Sequence, residues 1–341
     1  MSCLNPNYMA VTKTGEYKML GPTHLDIYED QNWLMAKRYE KIIQVGCGKC
    51  QQCMLKRSRQ WAMRAVLEGR DHKNNEVVTL TYDDKNLPLV DGIDVNTGEA
   101  TKVATLKKED TQLFRKKLRK AFKNGYYKGK ALPKIDKIRF IEAGEYGDKY
   151  KRPHYHMILY GAEFPDKKYF GTNEKGKDQW TSEILTSIWQ KGICTTMPLT
   201  YESAAYVARY ILKKQKGQQA NESYKERGQI PEYINMSRKP GIAFNYYDKN
   251  KDKIYETDEI FVSSSKKVEK HKPPRYFDKL FEKENKEKLE ELKKQRQIAG
   301  EITHNAEMSK TNLNEHEYAN VRYESTSQVI KKLKRNYENG K

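Results

Sequence analysis

Arg152-Pro-His154-Tyr-His156-Met-Ile-Leu-Tyr160 sets two histidines, one residue apart, at the head of an apolar run. The run predicts a strand over His154–Tyr160. Side chains at i and i+2 of a strand share a face, about 7 Å apart along it. His154, His156 and Ile158 therefore line one row, on which the two imidazoles are the polar exception. Just upstream, Lys137–Glu142 reads as a second strand. Ile138, Phe140 and Glu142 share a face there, so a carboxylate ends an apolar row. An unpaired carboxylate is costly to bury, and a cation is one way to offset that cost. Two imidazoles and one carboxylate leave coordination positions open to water or substrate oxygen. Such a set suits a catalytic Mg2+ or Mn2+ better than a closed structural zinc. His154, His156 and Glu142 are thus the expected ligands, while Glu145 and Asp148 fall in the expected loop. The alternative for Glu142 is an ion pair at the strand end, with Arg139 or Arg152. His-x-His is a weak pattern by itself, although none of the other five histidines has this spacing.

Farther along, Tyr201–Lys214 predicts a helix. Tyr206, Tyr210 and Lys213 follow the i, i+4, i+7 rule and stand on one face of it. Two phenols and an ammonium line up, with Arg209 and Lys214 adding charge nearby. The commoner fate of tyrosines at this spacing is the edge of an amphipathic core, because Val207 and Ile211 occupy the neighbouring strip.

Around these segments the periodicities alternate. A helix is expected over Met54–Arg70 and a strand over Glu76–Tyr82. A basic amphipathic helix follows over Leu106–Lys123, with Leu106, Leu113, Phe114, Leu118 and Phe122 inward. Asp178–Gln190 reads as a helix and Ile193–Leu199 as a strand. This order suits an α+β fold, a central antiparallel sheet flanked by helices. Beyond Gly241 the pattern becomes irregular, and from about Asp278 it is Lys/Glu-rich, a helical or disordered tail. The expected divisions are 1–70, a Cys-containing N-terminal region with a basic helix; 71–240, the core; and 241–341, the C-terminal extension.

Five cysteines, an odd number, argue against a disulfide framework. Cys47-Gly-Lys-Cys50-Gln-Gln-Cys53 contains two overlapping Cys-x-x-Cys steps, a spacing that lets thiolates meet on one zinc ion. Cys3 is a candidate fourth ligand. The alternative is a turn carrying reduced thiols.

The chain of 341 residues carries 65 Lys+Arg against 46 Asp+Glu, a formal net charge of +19. Residues 266–341 hold +6 of this and residues 1–265 the other +13, so the excess is not a basic tail. A basic folded surface attracts polyanions through counterion release, and 24 tyrosines offer faces for stacking on bases. Nucleic acid is the expected partner, a solvated basic face being the alternative. Lys56, Arg57, Arg59 and Arg64 of the first helix, with Arg209 and Lys214, are the candidate phosphate contacts. No apolar run approaches the roughly 20 residues of a spanning helix. The N-terminus lacks the pattern of a signal peptide, which makes the cytoplasm the expected compartment.

Taken in order, Thr79-Leu-Thr-Tyr82, Arg152-Pro-His154-Tyr-His156 and Tyr206-Val-Ala-Arg-Tyr210-Ile-Leu-Lys213-Lys214 resemble the motifs of HUH endonucleases of the rolling-circle replication type. Cys3-Leu-Asn-Pro, the cysteine cluster and Ser237-Arg-Lys-Pro-Gly241 resemble the replication initiation proteins of gokushovirus-type microviruses. The resemblance covers roughly residues 1–280. It implies an HUH core in which His154, His156 and Glu142 hold Mg2+ or Mn2+, Tyr206 and Tyr210 are paired nucleophiles and Lys213 assists them. The zinc role of the cysteines is less settled within it. It further implies nicking of single-stranded origin DNA through a 5′-phosphotyrosine intermediate with a free 3′-OH, then strand transfer and religation to release circular single-stranded DNA. Host polymerase and helicase would be the partners, in the cytoplasm of the host bacterium. The rival functions are a non-catalytic, zinc-dependent nucleic-acid-binding protein, a plasmid mobilisation relaxase and an RNA-directed metal hydrolase.

Overall fold

The computed structural model describes residues 3, 6–14, 16–21, 39–93, 97–147, 150–172, 176–213, 222, 224–264 and 267–338. The chain divides into two compact units, Met1–Arg57 with Arg296–Leu333, and Ser58–Gln295 with Lys334–Lys341.

In the first unit, β1 (Asn7–Thr12), β2 (Tyr17–Gly21) and β3 (Tyr39–Val45) form an antiparallel sheet in the order β2-β1-β3. Its core is thin. Among the described residues its buried apolar side chains are Tyr8, Ala10, Val11 and Tyr39, with Met54 and Leu55 from the start of helix α1 (Gln51–Gly69).

The second unit is organised by β4 (Asn75–Thr81) and the strands that pair around it. Two hairpins and a helix intervene first: β5 (Leu89–Ile93) with β6 (Ala100–Ala104), α2 (Lys108–Asn124), and β7 (Tyr126–Tyr127) with β8 (Lys130–Ala131). α2 ends where Gly125 adopts a left-handed φ of 68°, a conformation open to a residue without Cβ, and its N–H returns to Ala121 and Phe122 carbonyls. Next come β9 (Arg139–Tyr146), β10 (Pro153–Tyr160), β11 (Lys168–Thr172), β12 (Asp178–Thr181), α3 (Glu183–Trp189), β13 (Cys194–Pro198), α4 (Tyr201–Lys213) and β14 (Tyr233–Met236). Seven of these strands form one antiparallel sheet in the order β11-β12-β13-β4-β10-β9-β14.

Period-two alternation sends side chains of the central strands into two cores. Val78, Leu80, Tyr155, Met157 and Leu159 meet Phe114, Leu118 and Phe122 of α2 and Ile184, Leu185 and Ile188 of α3. On the other face Val77, Ile141, Ile158 and Tyr160 meet Ala62, Ala65 and Leu67 of α1 and Ala204 and Val207 of α4. The fold class is the expected one, α+β with a central antiparallel sheet flanked by helices.

Four details differ from expectation. Leu113, expected inward on α2, is exposed. The segment 178–190 is a strand followed by a short helix, because the Ser182 hydroxyl caps α3 by accepting the Leu185 N–H at 3.0 Å. The chain beyond Gly241 is regular, with α5 (Phe244–Thr257), hairpin β15 (Ile260–Ser263) and β16 (Val268–His271), and α6 (Arg275–Glu284). Ile242, Tyr247, Ile254, Phe277 and Phe281 are buried in the core shared with α1 and α4, so packing runs across the boundary expected at 240. The tail is helical, α7 (Lys286–Met308) and α8 (Glu315–Glu338). Leu289 is the buried residue of α7. Among the described residues no helix is long and apolar enough to cross a membrane.

Candidate active site

The register of three neighbouring strands builds the site. His154 of β10 lies between Thr81 of β4 and Glu145 of β9, and His156 lies between Thr79 and Ala143. One step farther in, Ile158 lies between Val77 and Ile141. All three strands thus pass from apolar to polar in the same direction on the face that α4 covers. The next side chain of β10, Tyr155, faces the opposite layer. There it is fully buried, and its hydroxyl bonds to Tyr82 and to the backbone of Lys107.

Ligand atoms of Glu145, His154 and His156 lie within 4.8 Å of one another. Glu145 Oε1 is 2.6 Å from His154 Nε2 and 3.2 Å from His156 Nε2. Glu145 and His156 are buried, each side chain 4% exposed, while His154 at 20% marks the open side. Burial raises the Glu145 pKa, but hydrogen bonding to the two imidazoles outweighs it and holds the carboxyl well below the usual range.

The opposite ring nitrogens explain why the Nε2 atoms converge. His154 Nδ1 is 3.2 Å from the Arg152 carbonyl, which can only accept, so this nitrogen carries the proton. His156 Nδ1 is 3.0 Å from the Thr79 hydroxyl. With Nδ1 protonated, a neutral ring turns its Nε2 lone pair towards an anionic oxygen. Two acceptors face each other, and only a proton on Nε2 or a shared cation relieves the conflict. Two imidazoles oriented by outer partners and one ionised carboxylate are a donor set suited to a divalent ion.

From α4, Tyr206 closes this pocket. Its hydroxyl is 3.3 Å from His156 Nε2, and the two rings meet edge to face with centroids 4.9 Å apart. The tyrosine is half-buried, held by a helix whose Ala204 and Val207 pack into the sheet. Tyr210 and Lys213 continue the same helix, but their side chains, like all of Lys214, lie outside the described residues.

Glu142 is not part of the cluster. β9 extends to Tyr146 instead of ending near Glu142, and Glu142 lies opposite Met157, on the other face. It is fully buried, where it pairs with Arg115 and accepts the hydroxyls of Thr111 at 2.8 Å and Tyr233 at 2.7 Å. Gly144 permits this, since a Cβ there would come within 2.8 Å of the Tyr233 ring. Glu145 takes the place expected for Glu142, while Asp148 lies outside the described residues. Thr79 was legible only as part of a motif. Its role emerges from pairing with β10.

Comparison with known proteins agrees with this arrangement. The model of the replication-associated protein ORF2 family matches residues 75–215. Over the full length of both chains the protein is 31% identical to Replication-associated protein ORF2 of Spiroplasma virus 4. The chain belongs to the replication-associated proteins of gokushovirus-type microviruses. This replication protein is also 29% identical to Replication-associated protein VP4 of Bdellovibrio phage phiMH2K, over 71% of the chain and 69% of that protein. To Replication-associated protein ORF4 of Chlamydia phage 1 it is 34% identical, over 49% of the chain and 38% of that protein. No solved structure matches it.

The basic residues of the replication protein separate into two groups. Lys56, Arg57 and Arg59 are exposed. Arg64 is a correction: it is buried, donates to the Ile242 carbonyl through Nε and Nη2, and lies over the rings of Trp61 and Tyr276. Burial brings its pKa down to about 10. Arg209, half-buried, donates to the Ala205 carbonyl of its own helix. In the first unit, the sulfurs of Cys3, Cys47, Cys50 and Cys53 come together within 4.8 Å. Burial raises the Cys47 pKa, but the N–H groups of Cys50 and Lys49 outweigh it and bring the thiol down to about 7; burial pushes Cys53 up.

Proposed function

We propose that the replication protein is a metal-dependent endonuclease and strand transferase that initiates rolling-circle replication on single-stranded origin DNA. The observation that carries this reading is the Tyr206 hydroxyl seated 3.3 Å from His156 Nε2, beside the Glu145–His154–His156 cluster. A divalent ion held by those three residues supplies Lewis-acid polarisation of the scissile phosphate. Tyr206 supplies the nucleophile. Its oxygen bonds to phosphorus as the P–O3′ bond breaks, the phenol loses its proton, and the 3′ oxygen gains one. Phosphodiester energy is kept in the 5′-phosphotyrosine bond, so the strand can later be rejoined without ATP, and the free 3′-OH primes a host polymerase. Thr79 and the Arg152 carbonyl hold the imidazoles in orientation, and α4 holds the phenol. Tyr210, one helical turn on, is proposed as the second nucleophile that cuts the regenerated origin while the first remains loaded. Lys213 assists these phenols, and Lys56, Arg57 and Arg59 engage backbone phosphates without choosing sequence.

The test uses purified full-length protein, Mn2+ and 3′-labelled single-stranded fragments tiled over the genome that encodes it. One fragment should yield an SDS-stable adduct on the 5′ end of the downstream product. Tyr206→Phe combined with Tyr210→Phe should abolish the adduct. The nucleophile assignment fails if that double variant still forms it. Binding without any cleavage would favour a non-catalytic DNA-binding protein instead.

A further inference from the structure

The cysteine cluster is not used by this chemistry. It joins two parts of the first unit that are remote in sequence: Cys3, and the Cys47–Cys53 segment that opens α1. Cys3 Sγ lies 3.7 Å from Cys50 Sγ and accepts the Cys47 N–H at 3.3 Å. None of the five cysteines is in a disulfide, whose sulfurs would sit at about 2.05 Å. A tetrahedral zinc with Zn–S bonds of about 2.3 Å spaces its sulfurs about 3.8 Å apart, close to the separation seen here.

The backbone is arranged for thiolates. Cys47 Sγ accepts the N–H groups of Lys49 at 3.4 Å and Cys50 at 3.2 Å, and Cys50 Sγ accepts that of Cys53 at 3.5 Å. Gly48, at φ 71°, lets the chain turn back between the first two ligands. These N–H groups stabilise negative sulfur, as outer partners of a metal site do. Four soft donors with no open position make a closed structural site, not one for Mg2+ or for catalysis. The unit also needs a staple, since the six buried apolar side chains named above are a meagre core.

We propose that Cys3, Cys47, Cys50 and Cys53 bind one zinc ion as a tetrathiolate site that staples the start of the chain to the first turn of α1. This site is separate from the cluster at His154 and His156, and stands or falls independently of it.

The full-length protein, purified under reducing conditions, should contain one tightly held zinc per chain. Cobalt substitution should give sulfur-to-metal charge transfer in the near ultraviolet and strong tetrahedral bands in the red. His154→Ala with His156→Ala should retain both zinc and spectrum, as should Cys194→Ser, whereas Cys47→Ser with Cys50→Ser should lose them. A readout without variants guards against misfolding. A strong chelator should raise the number of thiols reacting readily with a disulfide reagent by four and lower the melting temperature, and added zinc should reverse both. Iron in place of zinc, a Cys3–Cys50 disulfide in the reduced preparation, thiols equally reactive with and without chelator, or absence of the thiolate spectrum would each overturn the proposal.

Discussion

Exchanging the two glutamates of β9 separates ligand from scaffold. Glu142 is fully buried against Arg115, whose side chain is 10% exposed. Glu142→Gln keeps an acceptor for Thr111 and Tyr233 but leaves a guanidinium that cannot shed its proton. Breaking a buried pair from one side costs about 3–5 kcal/mol. At about 2–4 °C per kcal/mol for a unit of this size, the melting temperature should fall by about 6–20 °C. Cleavage assayed well below the new transition should stay within a few-fold of wild type. Glu145→Gln differs because its partners are imidazoles, which can lose their protons and relieve the uncompensated charge. The lost charge-assisted hydrogen bonds cost about 1.5–3 kcal/mol. Loss of an outer-sphere partner lowers metal affinity or activity by about 10–100-fold, so loss of a direct ligand should exceed that in the Mn2+ dependence of cleavage. Thermal melts and single-turnover cleavage across a Mn2+ titration measure both. The reasoning is refuted if Glu145→Gln cleaves with wild-type Mn2+ dependence, or if Glu142→Gln loses cleavage without losing stability.

Three further outcomes are expected. Thr79→Val removes the hydroxyl beside His156 Nδ1 and should weaken Mn2+ activation by about 10–100-fold with little change in DNA binding; an unchanged Mn2+ titration would exclude the orienting role. Arg64→Met should lower the melting temperature yet leave the salt dependence of DNA binding as in wild type, whereas Arg59→Ala should leave stability alone and reduce the salt slope by about 1. Against acid, Glu68 matters with Glu145. Burial raises the Glu68 pKa, but bonds from His72, the Ala243 N–H and Arg139 outweigh it. Both carboxyls therefore titrate lower folded than unfolded. Their stabilisation is complete above the unfolded value of about 4.3 and is lost as pH falls through the folded values. Melts from pH 7 to pH 3 should be level at first and then drop steeply below about pH 4, and a drop already between pH 7 and pH 5 would contradict this.

Local periodicity was enough to place His154 and His156 on one strand face and to make Tyr201–Lys213 a helix, because spacings of two and of about 3.6 residues are properties of the chain itself. The predicted sheet and its flanking helices followed from the same regularity. Choosing between Glu142 and Glu145 was beyond it. Facing residues of β9 and β10 share a side, and their register pairs His154 with Glu145 and Met157 with Glu142. Shifting that register by one residue would exchange the two carboxylates between faces. Register is set by the turn and by the cores on both sides of the sheet, not by the alternation within either strand. The same holds for Arg64, which reads as surface charge until Ile242 supplies a carbonyl and Tyr276 a ring, and for Cys3, whose partners begin 44 residues away. Composition and spacing determined which chemistry the chain carries. Only the folded structure, by bringing remote backbone and side chains within hydrogen-bonding reach, decided which residues share in it.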